Sequence, residues 1–134
     1  MGYRCEVALT MLREDYDYLR EIVESLDNEY ERGAFIPHTE HNREVNGVKC
    51  VTLMWKYVKW HPEADGTWCA LIKDFLRGAY DTGEEKPYQL IVMGEELDDI
   101  ENEENGINYL GDDDPNLIPC SARVEIERRF VMND

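Results

Sequence analysis

Between Lys86 and Arg123 the chain has no lysine and no arginine, while the same interval carries ten aspartates and glutamates. The deficit is local. Net charge over the 134 residues is −16, and leaving that interval out reduces it to −6, which is unexceptional for a soluble domain. A field of this sign repels phosphate backbones and anionic membranes and attracts cations or basic proteins, so direct nucleic-acid binding is not expected. No run reaches the roughly 18 apolar residues that a membrane-spanning helix needs. The start, "MGYRCEVALTM", lacks a secretory signal's long apolar region, so the expected location is the cytoplasm.

Cysteine is sparse, and none of Cys5, Cys50, Cys69 and Cys120 forms a Cys-x-x-Cys pair. Each falls inside or beside an expected element, where a free thiol behaves as a small buried hydrophobe; reduced structural thiols are therefore expected. The chain also lacks a nucleophile elbow, a P-loop, a glycine-rich dinucleotide turn and a Cys–His constellation. Carboxylates are abundant, but a general acid needs shelter to raise its pKa, and a dense acidic run reads as solvated. The expectation is a protein that is not an enzyme and needs no cofactor.

What is present suffices for one folded domain, residues 1–134, since 43% of the chain is hydrophobic. "YRCEVALT" alternates, placing Tyr3, Cys5, Val7 and Leu9 on one face of a half-buried first strand. "REDYDYLREIVESLDNEYERG" carries Tyr16, Leu19, Ile22, Val23, Leu26 and Tyr30 at helical spacing, with acids in its first turn and Gly33 as its stop. Asn46-Gly47 between extended runs predicts a hairpin with a type I′ turn. Pro37 places the run before that turn on a sheet edge, and the apolar run Val48 to Trp60 suits a central strand. "TWCALIKDFLRGAY" predicts a second helix with Asp65 as cap, "YQLIVM" a buried strand and "SARVEIERRFV" a final one.

The order βαββαβ plus one strand predicts an α+β fold of ferredoxin-like type, with spatial strand order 4-1-3-2. Two helices should cover one face, and the C-terminal strand should be an added edge beside "YQLIVM". Residues 94–120 would then form a long, exposed acidic excursion.

That excursion is the expected partner-binding surface, through Glu95, Glu96, Asp98, Asp99, Glu101, Glu103, Glu104, Asp112, Asp113 and Asp114. A calcium loop anchored on Gly106 would use Glu101, Glu103, Asn105 and Asp112. The residue types fit poorly, however: Glu replaces the usual first Asp, and Asp the bidentate Glu. His38, Glu40 and His41, with Cys50 across the hairpin, are the best zinc candidates, but they lack zinc-site spacing. Trp55, Tyr57, Trp60 and Trp68 read as core and rim packing, with Tyr57 and Trp60 as interface anchors if exposed.

The stretches "MGYRCEV", "MWKYVKW" and "VMGEELDDIENEENG" resemble a family of small acidic proteins of bacteriophages and prophages. Its members open with a Tyr-Arg-Ser-Glu-Val-like strand and carry a Gly-Glu-x-x-Asp-Asp-Ile-Glu motif. Gly94, Glu95, Asp98, Asp99, Ile100 and Glu101 match that motif, while Cys5 replaces the common Ser and Val92-Met93 the common Arg-Ile. The resemblance implies a phage-encoded protein in a bacterial host's cytoplasm; that setting, taken with the acidity, leads to the expectation of an inhibitor that binds a host protein. Its partner would be a basic host protein, such as a CRISPR or restriction effector, and its carboxylates could stand where DNA phosphates would lie. The alternatives are a divalent-cation-binding accessory protein and an immunity-type inhibitor of a basic toxin.

Overall fold

A computed structural model describes residues 4–79, 83–94, 99–110, 114–126 and 130–132. The expected site residues Glu95, Glu96, Asp98, Asp112 and Asp113 lie outside them.

The chain is an α+β protein. Strand β1 (Cys5–Leu12) leads directly into helix α1 (Arg13–Glu24). The expected single helix running to Gly33 is in fact two. Asn28 starts helix α2 (Glu29–Phe35) by accepting a hydrogen bond from the backbone N–H of Glu31 at 3.2 Å. A side chain that satisfies an orphan N–H favours a new helix start over continuation. Gly33 lies inside α2 and does not stop it.

Strands β2 (Thr39–Val45) and β3 (Val48–Val58) form the expected hairpin, with Asn46 at φ 52° and Gly47 at φ 80°. Both turn residues are left-handed, as a type I′ turn requires. Helix α3 (Trp68–Leu76) is capped by Thr67, whose hydroxyl accepts from Ala70 N–H at 3.2 Å; Asp65 is not the cap. Buried Glu31 of α2 accepts from Trp68 N–H at 2.9 Å, so one helix supplies a carboxylate to the positive end of another. Strand β4 (Tyr88–Met93) follows.

The main sheet is antiparallel, in the order β2-β3-β1-β4-β5. The second strand is at an edge and the third inside, as expected, with Pro37 just ahead of the edge strand. The opposite edge corrects the expectation. It is β5 (Ile100–Asn105), the acidic stretch itself, and not the C-terminal segment. The Gly94 N–H donates to Asp99 O at 2.7 Å, turning the chain so that Ile100 lies opposite Met93. The first segment returning from β4 takes the vacant ladder, although Glu and Asn are poor strand formers.

From β5 the chain crosses to the sheet's second face. Strand β6 (Ile107–Asn108) pairs in parallel with β7 (Ile118–Pro119). A 3-10 turn, Cys120–Ala122, then leads to a hairpin of β8 (Val124–Ile126) and β9 (Phe130–Met132). The final segment therefore pairs with itself and lies across the sheet.

The helices bury one face: Tyr16, Leu19, Phe35, Trp68, Ile72 and Phe75 pack on Val7, Leu9, Val51, Leu53, Trp55 and Leu90. Ile118, Ala122 and Val124 cover part of the other, against Leu12, Cys50, Ala8 and Ile91. Strand β1 is consequently buried on both faces, not half-buried. Its polar Thr10 is satisfied by Thr52, hydroxyl to hydroxyl at 2.8 Å.

Candidate interaction surface

Strand alternation divides the acidic residues of β5 between two environments. Glu101 and Glu103 stand opposite Val92 and Leu90, on the helix side. Asn102 and Glu104 stand opposite Ile91 and Gln89, on the second face. Exposure falls along the strand: Ile100, Glu101 and Asn102 are exposed, and Glu103, Glu104 and Asn105 are half-buried.

The half-buried acids have internal partners. Glu103 accepts from Lys73 Nζ of α3 at 2.6 Å and from the Tyr88 hydroxyl at 3.1 Å. Burial opposes its ionisation, but those two donors and the charges of Lys73 and Arg77 together hold its pKa below the usual carboxylate range. Burial, followed by the neighbouring carboxylate, pushes Tyr88 up to about 12. On the other face Glu104 accepts from Arg123 Nη1 at 2.9 Å and from the hydroxyl of Tyr109. The Arg123 guanidinium also lies 4.9 Å from the Tyr109 ring centre. Against its partial burial, the bonds from Tyr109 and Arg123 hold Glu104 low. These charge-assisted contacts pin the acidic strand to α3 on one side and to the C-terminal segment on the other.

Of the ten expected site residues, Glu101 is exposed on the outer strand of the sheet and Asp99 is exposed immediately ahead of that strand. Asp114 is half-buried, and its Oδ1 accepts from Asn116 N–H at 2.9 Å, an Asx turn. Lys73, Tyr88, Tyr109 and Arg123 were not legible as its neighbours. Lys73 and Glu103 are 30 positions apart, and no spacing links them.

The calcium positions take a different form from a loop. Glu101, Glu103 and Asn105 lie on an extended strand, whereas an EF-hand curls its ligands around one centre; Asp112 lies outside the described residues. Gly106 serves the backbone instead. It sits at φ 66°, its carbonyl accepts from Ile118 N–H at 3.0 Å, and a Cβ there would stand 2.8 Å from the Pro87 Cβ. Among the described residues, no group of three or more His, Cys, Asp or Glu is gathered to hold a metal ion. His38 Nδ1 accepts from Lys56 N–H at 2.9 Å, and Glu40 accepts from Arg13 at 3.2 Å and Tyr16 at 2.9 Å.

Trp55 and Trp68 are buried 5.2 Å apart, with half-buried Trp60 stacked edge-on against Trp68. The Trp55 indole N–H donates to Phe35 O at 2.7 Å. Tyr57 is 76% exposed, at φ 59°, where the β1–β3 register shifts. No described helix is long and apolar enough to cross a membrane. No protein-family model, curated protein or solved structure matches this chain.

Proposed function

We propose that this chain is a phage-encoded acidic interaction protein that binds and inhibits a basic host protein in the bacterial cytoplasm. The favoured partner is a nucleic-acid-handling or defence effector of the CRISPR or restriction kind. The observation that carries the reading is the ordered acidic edge: Glu101 is exposed on strand β5, which Glu103 and Glu104 anchor, and exposed Asp99 immediately precedes that strand. Carboxylates on a paired strand lose little freedom on binding, so their attraction for a Lys/Arg surface is offset by little ordering entropy. We also assign the frame to the ferredoxin-like class with one added edge strand, a reading supported by the order β2-β3-β1-β4 and by helices on one face.

Spacing weighs on the inhibitory mode. Alternate residues of a strand place charges ~6.7 Å apart, about half the linear density of one DNA strand at ~3.4 Å per charge. Strand β5 alone suits electrostatic steering; mimicry of a DNA strand calls on the flanking acids 95–98 and 112–114 as well. A basic toxin is the other partner class that such an edge suits.

Affinity capture from bacterial lysate identifies the partner. Replacing Asp99 and Glu101 together with Lys should then slow association, with an effect that shrinks as salt rises, while unfolding stays cooperative. Wild-type association at low salt in that variant would refute the electrostatic reading.

A further inference from the structure

We infer that the outer edge of β5 is a strand-addition site for an extended segment of the partner. The segment pairs antiparallel along residues 100–102, with Lys or Arg opposite Glu101 and an apolar residue opposite Ile100. The inference deepens the proposed function. It rests on that reading for the sign of the partner's charge, and on the geometry of the edge for the mode of contact.

Hydrogen-bonded and non-hydrogen-bonded pairs alternate along an antiparallel ladder. The bond from Gly94 N–H to Asp99 O marks the first hydrogen-bonded pair of β4 with the returning chain. Glu101, Glu103 and Asn105 therefore direct their N–H and C=O groups to β4, while Ile100, Asn102 and Glu104 direct theirs outward. Strand β5 has β4 as its one sheet neighbour among the described residues. Its first half is the accessible part, since Ile100, Glu101 and Asn102 are exposed and the remaining three residues are half-buried. An open edge of this kind is a template for another strand.

The side chains select the occupant. Glu101 lies on the helix side, exposed, and its carboxylate makes no ion pair or hydrogen bond among the described residues. Toward an added strand it occupies a non-hydrogen-bonded position, where facing side chains come closest. Exposed Asp99, immediately ahead, adds a second negative charge. Glu103 needs no cation from a partner, because Lys73 reaches it at 2.6 Å. On the second face Glu104 is matched by Arg123, and Ile100, 39% exposed, stands opposite Met93. An apolar residue opposite Ile100 would extend that row. The edge thus asks for a cation on the helix side and apolar side chains on the other. A second copy of the chain is a poor occupant: pairing β5 with itself about residue 100, 101 or 102 sets Glu101 opposite Asp99, Glu101 or Glu103. The other edge strand, β2, mixes Glu40, Arg43 and Glu44, with Glu40 held by Arg13 and Tyr16, and selects neither sign.

The test uses the full chain and a short blocked peptide alternating Val and Lys, with a Val/Glu peptide as charge control. With a lysine opposite Glu101, the valines turn their N–H groups to β5 and the lysines turn theirs to solvent. The Val/Lys peptide should slow amide exchange at Ile100 and Asn102, and the Val/Glu peptide should not. N-methylating the valines should weaken binding at least about tenfold, whereas N-methylating the lysines should weaken it about twofold at most. Glu101→Gln should weaken it about three- to fivefold at low salt, and Glu44→Gln, on β2, should leave it unchanged. Equal binding of the two methylated peptides would overturn strand addition and leave the electrostatic reading standing. So would Glu101-dependent binding without protection at Ile100 and Asn102. Greater loss with the methylated lysines would overturn the antiparallel sense. No binding of the Val/Lys peptide at low salt, equal binding of the Val/Glu peptide, or protection confined to β2 would overturn the proposal together with the acidic-edge reading.

Discussion

Gln89→Leu should release the C-terminal segment from the sheet while leaving the helical core intact. The Gln89 side chain is 2% exposed and makes two bonds to one residue: Nε2 donates to Val124 O at 3.0 Å, and Oε1 accepts from Val124 N–H at 2.8 Å. Leucine has nearly the same volume, so the change removes both bonds without opening a large cavity. Val124 is 3% exposed, and its N–H and C=O would be left without these partners. Each unsatisfied buried group costs ~1–3 kcal/mol, or roughly 2–6 kcal/mol for the pair. The segment has a cheaper response: it can lift and let water solvate Val124, giving up the packing of Ile118, Ala122 and Val124 and the Arg123–Glu104 pair. The loss should therefore fall at the lower end, about 2–3 kcal/mol, and should appear as local opening. Hydrogen exchange should accelerate about 30- to 140-fold at residues 118–124, because every 1.4 kcal/mol is a factor of ten. Amides of Val51 to Trp55 should be accelerated much less. Unchanged exchange at 118–124, with a urea midpoint equal to wild type, would refute the clamp; equal acceleration everywhere would show that the segment and core open together.

Asn46→Val with Gly47→Val forces β-branched residues into left-handed backbone at φ 52° and 80°, and should impair folding enough to lower the urea midpoint clearly. Trp55→Ala removes a fully buried ring from the Phe35–Trp68 cluster and should cost ~3–5 kcal/mol in denaturant unfolding. Trp55→Phe leaves the Phe35 carbonyl without its indole donor and should cost less, ~1–3 kcal/mol. Alkaline pH should destabilise the fold. Burial raises the Cys50 and Cys69 thiols from 9.0 to about 11 and is the leading cause raising Tyr16 and Tyr88 from 10.0 to about 12. Groups raised on folding contribute fully below their unfolded pKa, and the contribution is lost as pH climbs through the folded one. The window is therefore pH 9 to 11 for the thiols, worth on the order of 3 kcal/mol each. A melting temperature unchanged between pH 8.5 and about 11 would contradict it.

The strands, helix faces and hairpin were legible where the signal is local. Asn46-Gly47 names its turn because few residue pairs tolerate two left-handed conformations, and the pairing of Val45 with Val48 follows from turn length alone. Apolar spacing placed Tyr16, Leu19 and Val23 of α1, and Leu71, Ile72 and Phe75 of α3, on the buried face. Those signals are short in range, and so is their reach. The break before α2 depended on whether Asn28 would cap, a competition between neighbours that helical periodicity does not register.

For the acidic stretch, composition determined the charge and tertiary structure decided the form. "IENEEN" has neither the β-branched content nor the clean alternation of a strand, and by local preference it reads as loop. It is a strand because β4 presents an unfilled ladder and the bond from Gly94 N–H to Asp99 O brings Ile100 opposite Met93. The same placement sorted acids that look alike in sequence: Lys73 and Arg123, brought from distant elements, hold Glu103 and Glu104, while Asp99 and Glu101 stay exposed at the edge. The burial of both faces of β1 was decided in the same way, by a C-terminal segment that crosses the sheet where Gln89 and Thr10 lie. Sequence by itself determined how much negative charge this protein carries and where along the chain; which carboxylates face solvent was decided by non-local pairing, because a carboxylate's partner is set by the path of the chain in space.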